Sequence, residues 1–141
     1  MIWFDAALEY PADDALLRRC AASLFGLGTQ SVAVVHDIGD VRDATVTCVV
    51  GGGSEHKYSQ IVTPYLREVI QQPDAVESGT RLARLLDRSL LLANDATADP
   101  YSFILASRTG ARSIVSVNRE ALDENGRYVI SRQEGRERAG P

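Results

Sequence analysis

Along residues 14–25 (DALLRRCAASLF), Leu16, Leu17, Cys20, Ala21, Leu24 and Phe25 recur three and four positions apart, the period that lines one face of a helix with apolar side chains. Pro11 and Asp13 precede this run and Gly26 and Gly28 follow it, so start and stop signals bracket the helix. The neighbouring runs have a different rhythm. IWFDAAL (2–8) opens the chain as a strand. SVAVVH (31–36) and ATVTCVV (44–50) are short, rich in β-branched residues and separated by the turn-forming DIGDVRD, which predicts two further strands. The chain therefore begins β-α-β-β.

The middle of the chain is ambiguous. Tyr58, Ile61, Val62, Tyr65, Leu66, Val69 and Ile70 fall on one helical face, which predicts a helix over about 55–71. Pro64 lies inside that pattern, where an interior proline costs about 3 kcal/mol. The helix is therefore expected to kink at Pro64, or to begin there with Thr63 as its cap. Asp74 and Glu77 have the spacing of a helix cap and its partner. They predict a second helix to about Arg88, with Leu82, Leu85 and Leu86 inward and Ser78-Gly79 as a point of interruption.

The remainder alternates in the manner of strands: SLLLAND (89–95), YSFILAS (101–107), ARSIVSVN (111–118) and RYVIS (127–131). SRTGA makes a hairpin loop between the second and third of these. Asn118 caps a short helical turn, REALDE, that Asn125-Gly126 stops. The expected architecture is a single α+β domain over 1–131. It has an antiparallel or mixed sheet of about six strands with two or three helices packed on it, and a charged, disordered tail over 132–141.

With 141 residues, 45% of them hydrophobic, the chain can bury a core without metals or disulfides. Cys20 and Cys48 form no C-x-x-C pair and read as reduced thiols of a cytoplasmic protein. The N-terminus lacks the basic segment of a secretory leader, and no apolar run approaches the roughly 20 residues of a membrane helix. Neither a leader nor a membrane partner is expected. The formal net charge is -4; residues 131–141 hold three Arg and two Glu, so the rest of the chain carries -5. A surface of that sign suits a basic protein partner and opposes nucleic acid, whose phosphates need cations.

The stretch VVGGGSEHKYSQIV (49–62) most resembles ligand chemistry. A dinucleotide fingerprint from Gly51 requires glycine at position 56, where His56 stands. A phosphate-binding P-loop requires Ser or Thr after Lys57, where Tyr58 stands. What survives is Gly51, Gly52, Gly53, Ser54, His56 and Lys57, a set able to meet an anion or small molecule. The plainer reading is a mobile strand-to-helix connection. His36 and His56, with Asp37 or Asp40, lack the spacing of a metal site. Cys48 alternates with Val46 and Val50 as a core residue, and Cys20 lies on the apolar helix face, so neither reads as a nucleophile. No catalytic residue, metal or cofactor is expected.

Asp37, Asp40 and Asp43 do not follow a calcium-loop pattern. Together with Asp95 and Asp99, and with Asp123 and Glu124 contributing, they compose an acidic rim suited to a basic partner; solvated acidic loops are the plainer reading. Arg81, Arg84 and Arg88 form a helical stripe supported by Glu77–Arg81 and Arg84–Asp87 spacings. The functional expectation is a non-enzymatic protein-interaction module that binds and neutralises or regulates a basic protein, a bacterial toxin-immunity protein being one form. The alternative is a small-molecule or anion-binding protein, or an enzyme, using the Gly51–Lys57 loop. A third reading is a homodimer built on an exposed sheet edge.

Overall fold

A computed structural model of the chain describes residues 3–40, 43–67 and 74–137, with backbone alone for 134–137. The elements are β1 (Ala6–Leu8), α1 (Asp14–Phe25), β2 (Val32–Val35), β3 (Val46–Gly52), β4 (Gln60–Leu66), α2 (Ala75–Leu86), β5 (Leu90–Ala93), β6 (Ser102–Ala106), β7 (Arg112–Val117), α3 (Arg119–Asn125) and β8 (Ile130–Glu137). The strands form one sheet in the order β2-β3-β4-β1-β5-β6-β7-β8. Among the described residues only β2 and β3 pair in parallel. The fold is thus α+β with a mixed sheet, of eight described strands rather than about six. Its opening elements do run β-α-β-β, but β3 and β4 separate β1 from β2.

Each helix begins on a side-chain cap that takes up an otherwise orphaned N–H. Asp13 accepts from Leu16 N at 2.8 Å, Asp74 from Glu77 N at 2.8 Å and Asn118 from Ala121 N at 2.9 Å. Gly26 and Gly126 end α1 and α3 in the left-handed region. None of the described helices is long and apolar enough to cross a membrane.

The expected helix over 55–71 is instead β4, paired antiparallel with β3 from Val46↔Leu66 to Gly52↔Gln60. Ile61, Val62 and Thr63 favour a pleated backbone, and Gln60, Val62, Pro64 and Leu66 are buried at the strand's two-residue period. The proline is tolerated for a specific reason. The Pro64 carbonyl accepts from Trp3 N at 3.0 Å, on the β1 side. In an extended antiparallel strand the nitrogen of a residue points the same way as its oxygen, so the β3–β4 ladder loses no bond. Residues 68–73, including Val69 and Ile70, lie outside the described residues.

Two more expectations shift. The last strand, expected to stop at 131, continues through Glu137 along β7, so positions 132–137 of the expected disordered tail are strand; 138–141 lie outside the described residues. Ser78-Gly79 does not interrupt α2. The helix crosses β5 there, so closely that a Cβ on Gly79 would stand 2.4 Å from Leu92 Cδ1. Leu85, expected inward, is 41% exposed.

Two hydrophobic clusters lie on opposite faces of the sheet. The larger packs α1 and α2 on one face through residues such as Leu17, Phe25, Leu82 and Leu86, against Ala6, Leu8, Leu90 and Leu92. The smaller joins Ala7, Tyr58, Leu91, Val115 and Val117, with Leu122 of α3 and Tyr128 and Ile130 packed against it. β1 and β5 therefore feed both clusters, and every residue of Ala6–Leu8 and Leu90–Leu92 is buried. A strand covered on both faces has no polar side, hence the unbroken AAL and LLL.

Gly79→Ala gains about 1 kcal/mol of helix propensity but forces a methyl into Leu92, and overpacking costs about 1–3 kcal/mol. Urea unfolding is expected to show a lower midpoint for the variant; an unchanged or higher midpoint would show that Leu92 yields freely.

Candidate functional site

The glycine-rich stretch closes the β3–β4 hairpin instead of leading into a helix. Gly52 and Gly53 take φ of 69° and 100°, and at Gly52 a Cβ would stand 2.2 Å from the Ser59 carbonyl oxygen. The loop is tied internally: Ser54 N donates to Ser59 Oγ at 2.8 Å, His56 N to Ser54 Oγ at 3.2 Å and Gly53 N to Ser59 O at 3.1 Å. Tyr58 then turns the chain back at φ 60°, a conformation few residues with a Cβ adopt. Its amide donates to Glu9 O at 3.3 Å, and its ring is buried in the smaller cluster.

That turn sets His56 and Lys57 beside the segment leaving α3. Arg127 Nη2 lies 3.1 Å from His56 Nδ1. A guanidinium only donates, so Nδ1 accepts, and a neutral ring then carries its proton on Nε2. Lys57 Nζ stands 3.9 Å from Glu9 Oε2 and 5.8 Å from the Tyr10 ring centroid. His56, Lys57, Tyr58 and residues 127–130 line a depression of about 320 Å³. Gly52, Gly53 and Ser54 shape the loop and do not line the depression. Arg127 was not a sequence candidate; its only mark was a position just past the Asn125-Gly126 helix stop.

Tyr128 separates this depression from a groove of about 260 Å³ floored by Ala7, Ile61 and Leu91. Its ring meets Phe103 edge-on, centroids 5.3 Å apart. Asp5 at the groove accepts a hydrogen bond from Thr63 Oγ1. Burial, and then the Asp5 charge, push the Tyr128 hydroxyl up.

The acidic candidates fall into separate places. Tyr101 N donates to Asp99 Oδ1 at 3.0 Å, and Tyr101 Oη donates to Asp123 Oδ2 at 2.7 Å. The bond to Asp123 is the main cause of a raised Tyr101 hydroxyl pKa. Arg119 stacks over the same ring at 4.8 Å. Asp99, Tyr101 and Glu120 share a shallow depression of about 490 Å³ with Arg119 and Arg132, and Asp95 is exposed in the same β5–β6 loop.

Asp37 and Asp40 lie in a turn after the edge strand β2, where Asp37 Oδ1 accepts from Gly39 N at 2.7 Å. Asp43 is paired with Arg67 at 2.7 Å. β2 and β5 are four steps apart in the sheet, or roughly 19 Å at about 4.8 Å per step. The expected single rim is therefore two patches.

His36 bonds Asp14 at 2.9 Å rather than meeting His56. Both cysteines are buried, and burial pushes the Cys48 thiol up to about 12, far from the thiolate a nucleophile needs. Arg81 pairs with Glu77 at 3.4 Å, as its spacing suggests, whereas Arg88 donates to Leu86 O at 2.9 Å. No protein-family model, curated protein or solved structure matches the chain.

Burial, reinforced by Glu9 and Tyr10, raises the Tyr58 pKa from the ordinary 10.0 to about 12. The folded state holds this proton longer than the unfolded chain. The corresponding stability is complete below the unfolded value and is lost as pH rises through the folded one. The melting temperature is expected to fall between pH 10 and 12, with a shallower fall in Tyr58→Phe. An identical slope in the variant would show that Tyr58 does not carry the effect.

Proposed function

We propose that the protein acts by binding another protein with a basic surface, and that it neutralises or regulates that partner; a bacterial toxin-immunity pair is one form of such an arrangement. The observation that carries this reading is the position of Tyr101. Its amide and hydroxyl hold Asp99 and Asp123, one from the β5–β6 loop and one from α3, so that two carboxylates stand fixed around one aromatic ring, with the Arg119 guanidinium over its face.

Carboxylates already held in place lose less freedom on docking than free ones. Complementary charge also speeds encounter and rejects partners of the same sign. Asp95, Glu120 and Glu124 are exposed nearby on the same loop and helix. Asp37 and Asp40 supply a second acidic patch at the β2 edge. Asp43, already paired with Arg67, has the least charge to offer.

The test is co-expression with the adjacent open reading frame of the native host, followed by affinity capture. A stoichiometric basic partner is expected. Asp99→Lys combined with Asp123→Lys should weaken it by about 2 kcal/mol or more, roughly thirtyfold, in a variant that still unfolds cooperatively. Undiminished capture by the variant, or recovery of a metabolite alone, contradicts the reading.

A further inference from the structure

The depression beside Tyr58 is distinct from the acidic end and carries the opposite chemistry. Its polar wall consists of Arg127, Lys57 and His56, brought from segments 71 residues apart in the chain. Arg127 and Lys57 present only donors, and the neutral imidazole, with Nδ1 accepting from Arg127, carries its one N–H on Nε2. Lys57 meets the Glu9 carboxylate at 3.9 Å, a long and weak pairing. The rest of the lining is apolar or aromatic: the Tyr128 ring, Ile130 and Val129, which is 43% exposed at the surface.

From this we propose that the depression binds a small organic anion, an oxyanion of the carboxylate or phosphate-monoester class carried on an apolar body. A neutral ligand would leave the Lys57 and Arg127 donors without an acceptor of matching strength. An oxyanion gives them charge-assisted hydrogen bonds, and the planar guanidinium can meet two of its oxygens at once. Such a ligand also improves on the contact it displaces, because Arg127 at present donates to an imidazole nitrogen. The apolar body would cover Val129 and Ile130. At about 320 Å³ the space is at the small end of ligand sites, which points to a compact body such as one ring. The Gly52 turn and the left-handed Tyr58 have a purpose in this picture, since together they shape the loop that brings His56 to Arg127 and places Lys57 in the same lining.

The site is independent of the acidic end, and its test keeps the two apart. Amide NMR spectra of the full chain are titrated with phenylacetate, phenyl phosphate, inorganic phosphate and, as a neutral body, benzyl alcohol. Saturable shifts at residues 56–58 and 127–130 are expected with phenylacetate or phenyl phosphate, and the tighter of the two identifies the oxyanion. Arg127→Gln should weaken that binding by about tenfold or more, while Asp99→Lys with Asp123→Lys leaves it unchanged. The proposal is overturned if benzyl alcohol binds there as tightly as the anions. It is equally overturned if the anions shift surface cations throughout the molecule without saturating at these residues, or shift nothing.

Discussion

The structure depends on two short strands having no solvent side. β1 and β5 lie next to each other in the middle of the sheet, paired Ala7↔Leu91 and Leu8↔Leu90. Their alternate side chains serve cores on opposite faces. Leu8 and Leu90 are fully buried beneath the two long helices, and Leu91 is 1% exposed on the other face. Each such side chain contributes about 1.5–3 kcal/mol of transfer free energy, so these few positions anchor both layers. Replacing one with a polar residue would strand it in one cluster or the other, whichever face it took.

The two layers are unequal. α1 and α2 make a broad cover on one face, where α2 approaches so closely that a Cβ at position 79 would stand 2.4 Å from Leu92 Cδ1. The second face carries a smaller cover, built from α3, Tyr58 and the segment through Tyr128 and Ile130. The residues with chemistry to offer are mounted around this smaller cover. Tyr58, seated in it, holds the hairpin loop that presents His56 and Lys57; Tyr128, packed against it, follows directly on Arg127. Val117, in the same cluster, donates its amide to Tyr101 O at 2.9 Å, which fixes the backbone of the residue that orders Asp99 and Asp123. A small hydrophobic cluster thereby sets the geometry of both surfaces.

Much of this fold was legible in the sequence wherever a signal was local. The caps Asp13, Asp74 and Asn118 and the glycine stops mark the helices within a residue or two, because capping is a contact over three or four positions. β4 was not legible. Its apolar residues at 61, 62, 65 and 66 continue a helical spacing from Tyr58 and on to Val69 and Ile70, and Pro64 reads as a helix start unless the direction of its missing N–H is known. That direction is decided by Trp3, far away in the chain. The site was legible in part. The Gly51–Lys57 stretch stood out as chemistry, yet neither Arg127 nor the role of Tyr101 could be read, because Arg127 meets His56, and Tyr101 meets Asp123, only through the fold. The same holds for the acidic rim, which spacing alone could not divide between the β2 edge and the β5–β6 loop.

Native-state hydrogen exchange tests most directly whether the two-sided strands hold both layers. Amides open at free energies from near zero up to the global stability, and those at the heart of a fold open only with the whole. The paired amides of Ala6–Leu8 and Leu90–Leu92 are expected to exchange only through global unfolding, while those of α3 and β8 open earlier as a unit. Exchange of the β1 and β5 amides as early as α3, or earlier, would contradict this and place the anchor of the fold elsewhere.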